Sequence, residues 1–406
     1  MYKKNFGFLV LFYLIAMFVV LNICEAGNTD QDDRQVKWFL EQHKDLKKNY
    51  FDGKFGVDNN PAGWDTGTYL RAYIDMYEAT HDVRVLRDLN ELLKIVADGN
   101  DALTGRIDDR TGKVMPGWGT RAYDYGPNGD ERYSDMLMNA LYAYPLAAFA
   151  RIVMEDSNLA HEFGSDAKRY YRMVQDLYKA HKPFVHDEDS PYPDDTRGVY
   201  FAYPENYYED KIDYSDIETP INMTMIVAEP LVEMYRASVA KGKPKKRYRA
   251  IVKKVSNYIR WNMHLKKTKK GDRYFTWLYW PADIDQDSRH VEDVTHGARL
   301  AEFVVSMHEA GLRNRWGMKR LRYLANTFTC GAVINNTSFA NYIDGTGGVY
   351  EDDAATLYEW LVLQKYSHHS SRHTILHYLR RAMKHEGDNR KYNIAVFAKF
   401  MRYEND

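Results

Sequence analysis

Apolar positions along this chain recur at helical rather than strand spacing, and the helices they mark come in pairs. Residues 34–49 read as a first helix, with Val36, Phe39, Leu40 and either His43 or Leu46 along one side. A loop rich in Gly, Asn and Asp runs from Phe51 to Trp64. Pairs then follow at 67–80 with 83–98, 136–154 with 165–181, 222–240 with 245–263, 295–310 with 316–328, and 354–366 with 371–385, and a last helix covers 391–403. In each pair the first helix is apolar nearly all round and rich in small residues, whereas the second keeps a polar face with Lys and Arg. A helix apolar all round is buried on two sides, and an amphipathic one faces water. The alternation predicts an all-α protein, an α/α toroid forming an incomplete barrel of inner and outer helix pairs with long rim loops. No alternating run is strong enough for a large sheet. Short hairpins are expected at Gly105 to Val114 and around Tyr274 to Leu278.

The inner helices begin near Thr68, Asn139, Asn222, His296 and Thr356, too far apart for a tight solenoid. The loops ahead of them hold the less ordinary residues: Trp64-Asp65, Pro116-Gly117-Trp118-Gly119, Tyr133-Ser134-Asp135, Pro204 to Tyr208, Arg273 to Trp280, Arg289 to His296 and Tyr350 to Asp353. In a toroid the inner helices start on one rim, so these loops are expected to converge on one mouth. The densest stretch is 289–311. Asp293 or Thr295 is its expected N-cap and Gly311 its stop, with Ala298, Ala301, Val304, Val305 and Met307 or His308 on the buried side. Arg289, His290, Glu292, Asp293 and His296 all fall at or just before the helix start, where free N–H groups and the helix dipole favour anions. A polar loop ahead of a helix is the plain account of these residues, but a cap alone requires fewer ionisable groups.

Composition narrows the partners. The chain has 406 residues, 45% hydrophobic, enough for one large helical domain over 28–406. A net charge of −1 gives no reason to expect nucleic acid as a partner. The 33 Tyr and 8 Trp suit stacking on sugars and serve equally well in helix packing. Residues 1–27 read as an export signal: Lys3 and Lys4, an apolar run from Phe6 to Cys24, then Cys24-Glu25-Ala26. The expectation is a secreted or periplasmic protein without stable membrane association after cleavage; an uncleaved anchor or a lipid on Cys24 are the alternatives. The mature chain then holds a lone cysteine, Cys330, expected as a small buried residue without a disulfide partner.

There is no HExxH, no Cys/His cluster, no GxSxG elbow and no phosphate or dinucleotide loop, so neither a metal nor a cofactor is expected. Two sugar chemistries remain. β-Elimination on a uronic acid polymer requires a group that neutralises the carboxylate, a base for the C5 proton and an acid for the leaving oxygen. Asn222, Arg273, Tyr274, Tyr279, Arg289 and His296 carry suitable groups, and Arg273 is expected to reach Tyr279 if the loop between them folds back. Hydrolysis by paired carboxylates is the alternative, with Asp65, Asp135, Glu292, Asp293, Asp352 and Asp353 as candidates. A glycan-binding protein without catalysis is the third class. Plain readings compete with each: Asn222 as a cap, His296 as a satisfied core histidine, Tyr279 as aromatic packing, Glu292 and Asp293 as capping carboxylates.

Several stretches carry a family likeness: Trp64-Asp65-Thr66-Gly67-Thr68-Tyr69-Leu70, Met76-Tyr77-Glu78-Ala79-Thr80, Pro116-Gly117-Trp118-Gly119, Ala143-Tyr144-Pro145-Leu146-Ala147, and Glu292-Asp293-Val294-Thr295-His296-Gly297 ahead of Glu302-Phe303. Together, and in order over most of the mature chain, they resemble secreted α/α-toroid polysaccharide lyases of the family 38 type, associated with glucuronan and alginate. The resemblance implies a metal-free lyase acting on an acidic polysaccharide. It implies Tyr279 and His296 as acid and base, Asn222 and Arg273 as carboxylate-neutralising groups, and a substrate surface drawn from Trp64, Asp65, Trp118, Tyr133, Asn139, Tyr274, Arg289, Glu292 and Asp293. The chain departs from the pattern at Met138-Asn139, where the family leads one to expect a histidine.

Overall fold

The protein is described by a computed structural model over residues 33–51, 63–121, 129–189, 197–204, 208–209, 212–281, 290–335, 338–351, 354–367, 375–383 and 390–403. Residues 1–27, expected as an export signal, and Arg289, Asp352 and Asp353 lie outside the described residues. The fold is mostly helical. Strands among the described residues form only two-stranded sheets: Val185–Glu188 with Gly198–Phe201, Tyr208–Glu209 with Ile212–Asp213, Met263–Lys267 with Arg273–Trp277, and Val333–Asn335 with Ser338–Phe339. The hairpin expected near Tyr274 is therefore present, while Gly105 to Val114 holds only a bridge between Asp108 and Lys113.

The helices are α1 (33–41), α2 (Gly63–Thr80), α3 (Val83–Asp98), α4 (Met136–Glu155), α5 (Ala160–Ala180), α6 (Ile221–Ala240), α7 (Lys246–Trp261), α8 (Val294–Glu309), α9 (Met318–Asn326), α10 (Ile375–Met383) and α11 (Arg390–Tyr403). Residues Ala354–Tyr366, expected as α-helix, are wound as a 3₁₀ helix. The starts are chemically marked. Asp82 caps α3 by accepting from Arg84 N at 2.8 Å, and Asp135 caps α4 by accepting from Met138 N at 2.9 Å. Helix α4 is buried over almost its whole length, and both α4 and α6 carry an internal proline, Pro145 and Pro230. A proline in a helix interior removes a backbone bond at a cost of about 3 kcal/mol, which packing on all sides must offset. Helix α3, by contrast, buries one stripe, Val85, Leu86, Leu89, Leu92, Leu93 and Val96.

The apolar helices pack in chain order: α2 on α4, α4 on α6, α6 on α8, α8 on the 3₁₀ helix, the 3₁₀ helix on α11, and α11 back on α2. The amphipathic helices lie against them, α3 on α2, α5 on α4, α7 on α6 and α10 on the 3₁₀ helix. Helix α9 packs on the 3₁₀ helix rather than on its sequence partner α8. The last helix, which the sequence reading placed after the five pairs, belongs with the apolar set. Gly67 permits one of these approaches: a Cβ there would lie 3.1 Å from the Leu141 Cβ of α4.

Between the six apolar helices runs a buried ionic network. Arg71 (α2) donates to Glu229 (α6) at 2.9 Å through one nitrogen and more closely through the other, and to Glu302 (α8) at 2.8 Å. Lys399 (α11) bridges Glu302 at 2.5 Å and Asp75 (α2) at 2.9 Å, and Arg402 donates to Asp75 at 2.6 Å. Arg151 (α4) meets Glu233 (α6) at 2.7 Å and Glu78 (α2) at 2.5 Å, and Arg299 (α8) meets Glu359 of the 3₁₀ helix at 2.6 Å. Burial pushes the Glu302 carboxyl up, but Arg71, Lys399 and Arg299 outweigh it and hold it at about 2. At Glu359 burial wins over the same cations, and the carboxyl rises to about 7.

Candidate active site

The first turns of α6 and α8 are tied together by the strand that follows the Arg273–Trp277 hairpin. Trp277 to Tyr279 run antiparallel to His290 to Glu292: Tyr279 N donates to His290 O at 3.0 Å and Glu292 N to Trp277 O at 3.0 Å. On the other side Ile221 N, at the first residue of α6, donates to Tyr279 O at 3.1 Å. The loop 341–343 completes the frame, with Val294 N on Asn341 O at 2.8 Å and Ile343 N on Glu292 O at 3.1 Å. Tyr279 is thus held by its backbone between the starts of two neighbouring helices.

The side chains around it form one group. The Tyr279 ring stacks on His290 with centroids 5.1 Å apart, and lies 5.8 Å from the His296 ring and 6.1 Å from Trp280. Tyr342 covers the far side of His290 at 5.8 Å. Asp293 is the N-cap of α8, as one sequence alternative had it, accepting from Thr295 N at 2.9 Å and His296 N at 3.0 Å. Its other oxygen closely accepts from His296 Nδ1. Burial would raise the Asp293 carboxyl, but the bonds from His296 and Thr295 hold it at about 2, so it is ionised. A carboxylate can only accept, so the proton sits on His296 Nδ1, and the neutral ring keeps Nε2 as a proton acceptor. His290 Nδ1 is likewise spent, on Val291 O at 3.0 Å.

Asn222, in the first turn of α6, is 1% exposed. Its Oδ1 accepts from Met223 N at 2.8 Å, and its Nδ2 has no hydrogen-bond partner among the described residues. A buried amide donor without an acceptor costs about 1–3 kcal/mol, more than a capping role would justify. Gly297 lets the structure close around His296, since a Cβ there would meet Ile343 Cγ2 at 3.0 Å.

Glu292 lies beneath this group, fully buried, with one oxygen accepting from Trp277 Nε1 at 3.2 Å and the other without a hydrogen-bond partner among the described residues. Burial, then the neighbouring Asp293, push its carboxyl well above the carboxylate range. The folded state therefore takes up a proton that the unfolded chain releases above about pH 4.3, and stability falls as pH rises from there. Glu292→Gln keeps an acceptor for Trp277. It is expected to gain about 1–2 kcal/mol at pH 7, an advantage that fades below pH 4; thermal unfolding between pH 4 and 8 reads both. Glu292, Asp293 and His296 each bring a possible metal-ligand atom within 4.8 Å of the others. The contacts present already account for Asp293 and His296 as a capped carboxylate–imidazole pair.

The other sequence candidates divide. Trp64 stands in the first turn of α2 with the Arg299 guanidinium 6.0 Å from its ring centre, and Asp65 is half-buried beside it. Arg273 is corrected. It is exposed at the start of the strand Arg273–Trp277, and that extended strand holds it apart from Tyr279 instead of folding the two together. At about 3.3 Å per residue, the strand carries Tyr279 well beyond the reach of the guanidinium. Tyr274, on the same strand, packs against Gly331, away from the Tyr279 group. Trp118 is buried, its indole donating to Val96 O at 2.7 Å and its ring set edge-on to Tyr142, so it offers no face to a sugar. Asn139 is wholly buried, accepting from Trp118 N at 2.6 Å and donating to Asp135 O at 2.5 Å, which makes it a loop anchor. Tyr133 is buried with Tyr203 and Trp280. Glu292 and Asp135 are buried too, and each accepts a hydrogen bond inside the protein, from Trp277 Nε1 and from Met138 N. Cys330 is half-buried rather than enclosed, and burial pushes its thiol up.

His290 and Tyr342 belong to the group without having been singled out. His290 stood in the stretch already marked by its charges, whereas nothing in Asn341-Tyr342-Ile343 points to a site. No protein family, no curated protein and no solved structure matches the chain, so the site is read from its own residues.

Proposed function

We propose that the protein is a polysaccharide lyase that cleaves a uronic-acid-containing polymer of glucuronan or alginate type by β-elimination on an α/α toroid. The cyclic packing of α2, α4, α6, α8, the 3₁₀ helix and α11 supports the toroid, and the return of α11 to α2 favours a closed ring over the incomplete barrel. The observation that carries the function is the pairing of a phenol and an imidazole, Tyr279 and His296 with ring centres 5.8 Å apart, hydrogen-bonded through the Tyr279 backbone to the first turn of α6, where Asn222 keeps a buried carboxamide donor without an acceptor among the described residues. That trio matches the three requirements of elimination.

In this reading Asn222 Nδ2 donates to the uronate carboxylate and stabilises the charge that develops as C5 loses its proton. His296 Nε2 takes that proton, with Asp293 holding the imidazolium. The C4–O bond breaks as the C4=C5 double bond forms, and the Tyr279 hydroxyl gives its proton to the departing oxygen. Hydrolysis by paired carboxylates draws less support, because Asp135 caps α4, Glu292 accepts from Trp277 and Asp293 is committed to α8 and His296, which leaves Asp65, half-buried in the first turn of α2, among the described candidates. The apolar run from Phe6 to Cys24 agrees with export to where such polymers are found.

The test is ultraviolet absorbance of the mature protein incubated separately with glucuronan, polymannuronate, polyguluronate and glycosaminoglycans. The expected result is a rise at the unsaturated-uronate band on one of them, together with new reducing ends. Reducing ends without the band would replace elimination by hydrolysis, and binding without either product would leave a glycan-binding protein.

A further inference from the structure

We propose that the hairpin of Met263–Lys267 and Arg273–Trp277 is a cationic arm that holds the acidic polymer several sugars away from the bond cleaved at the Tyr279 group. The inference rests on the acidic-polysaccharide reading above and assigns residues that reading does not use.

Charge is unevenly spread along the chain. Residues 241–273 contain fourteen Lys and Arg, a quarter of the 56 in the protein, and a single acid, Asp272. With a net charge of −1 overall, the rest of the chain is acidic in balance. Helix α7 contributes six of the fourteen and has no acid. Lys266, Lys267, Lys269, Lys270 and Arg273 stand on the hairpin, and all five are exposed. Among the described residues no carboxylate oxygen lies within 4.0 Å of any of their charged groups.

The hairpin holds these charges in place. In its turn Thr268 N donates to Asp272 O at 2.8 Å, and Gly271 N to Thr268 O at 3.0 Å. Along its flank Phe275 N donates to Thr327 Oγ1 at 3.1 Å, and Asn326 Nδ2 to Arg273 O at 2.9 Å. The register sets Lys267 directly opposite Arg273. Like charges directly opposite each other destabilise a sheet. A lysine on an exposed edge discourages pairing with other copies, but that protection requires no second cation facing the first. An anionic ligand relieves the repulsion.

The arm is joined to the site. Its second strand runs on through Leu278 to Tyr279. At about 3.3 Å per residue, Arg273 and Tyr279 are about 20 Å apart along it. One sugar acid at Tyr279 does not span that distance, whereas a polymer does. Ammonium groups on flexible stems suit carboxylates repeated along a chain. Leu265 is the one large apolar side chain exposed on the hairpin, too little for insertion into a lipid surface. Tyr274 and Phe275 pack on Gly331 and on Trp316 and Tyr323 instead of standing free to stack on bases.

The experiment measures binding of Tyr279→Phe protein to glucuronan, polymannuronate and polyguluronate, each as the long polymer, as a dimer and as the carboxyl-reduced, neutral polymer. Adding Lys266→Gln, Lys267→Gln, Lys269→Gln and Lys270→Gln together is expected to weaken the long acidic polymer about tenfold or more and leave the dimer and the neutral polymer unaffected. The difference should be present in about 0.01 M NaCl and vanish in about 1 M, where charges act over only about 3 Å. The same four changes at Lys241, Lys243, Lys245 and Lys246, near the far end of α6 from Asn222, control for net charge and should have little effect. Equal binding by the hairpin variant and its parent overturns the arm while leaving elimination intact, and so does equal weakening by the control. Lysine-dependent binding that favours single-stranded DNA or phosphatidylserine vesicles over every polyuronate overturns the choice of partner. Lysine-dependent binding of a polyuronate by a protein that makes no double bond keeps the arm and removes the lyase reading. Failure of the parent to bind any long polyuronate removes the arm outright.

Discussion

Tyr279→Phe is expected to abolish the unsaturated product, with a loss of about 10²–10⁴-fold in turnover and no change in fold. The substitution deletes one oxygen. The ring remains to stack on His290 and to pack against Trp280, and the backbone bonds to Ile221 and His290 do not involve the side chain. Product absorbance reads the activity, and the melting temperature reads the fold. Tyr274→Phe is the matched control: it lies on the strand Arg273–Trp277, packs on Gly331, and should leave turnover unaffected. Full turnover in Tyr279→Phe would falsify the assignment of the phenol as the acid and shift the proton donor to His290 or His296.

Arg71→Ala is expected to have the largest effect on stability, about 3–5 kcal/mol at neutral pH. The change deletes the cation shared by Glu229 and Glu302, leaving the buried Glu229 without its ion-pair partner and Glu302 with Lys399 and the more distant Arg299. For a chain of this size that corresponds to a fall of about 5 °C in melting temperature. The pH dependence checks the cause. Burial lifts the Glu229 carboxyl even beside Arg71, whereas Glu302 is held at about 2, below its unfolded value. The Glu302 contribution is complete above about pH 4.3 and is lost as pH falls towards 2. The deficit of Arg71→Ala should therefore be widest near pH 7 and narrow on acidification, as the orphaned carboxyls protonate. A deficit independent of pH would indicate lost packing, including the guanidinium that lies 3.7 Å from the Tyr144 ring centre, as the dominant cause.

The two kinds of information were unequally legible in the sequence. Helix positions followed from periodicity and capping. Asp293 and Gly311 bracket α8 as read, because the N-cap bond and the positive φ of Gly311 are local devices. The 3₁₀ winding of Ala354–Tyr366 and the place of α11 are not local. The first depends on packing between α8 and α11, and the second on a salt bridge between Arg402 and Asp75. Among the candidate site residues, Asn222 and His296 stand out in the sequence because each falls in the first turn of a helix, whereas Tyr279 precedes no helix and is brought to them by the pairing of 277–279 with 290–292. Arg273 failed because six residues in sequence mean little until one knows whether the strand between them is extended. Trp118 and Asn139 were expected as substrate contacts only through the family resemblance, yet the loop at 116–119 folds inward and uses both as anchors.

The packing of α11 against α2 sets an order of events in folding. Arg402 and Asp75 are separated by 327 positions, and Lys399 links α11 to both α2 and α8. Such a contact brings a large loop-closure cost before it returns any stability. Until residues 390–403 are available, Asp75 and Glu302 have lost two of their buried cations, and the faces of α2 and the 3₁₀ helix that meet α11 stand open to water. A chain emerging from its N-terminus first would thus complete its core only at the end of synthesis or export. During that interval its exposed apolar faces would make it a client for a chaperone.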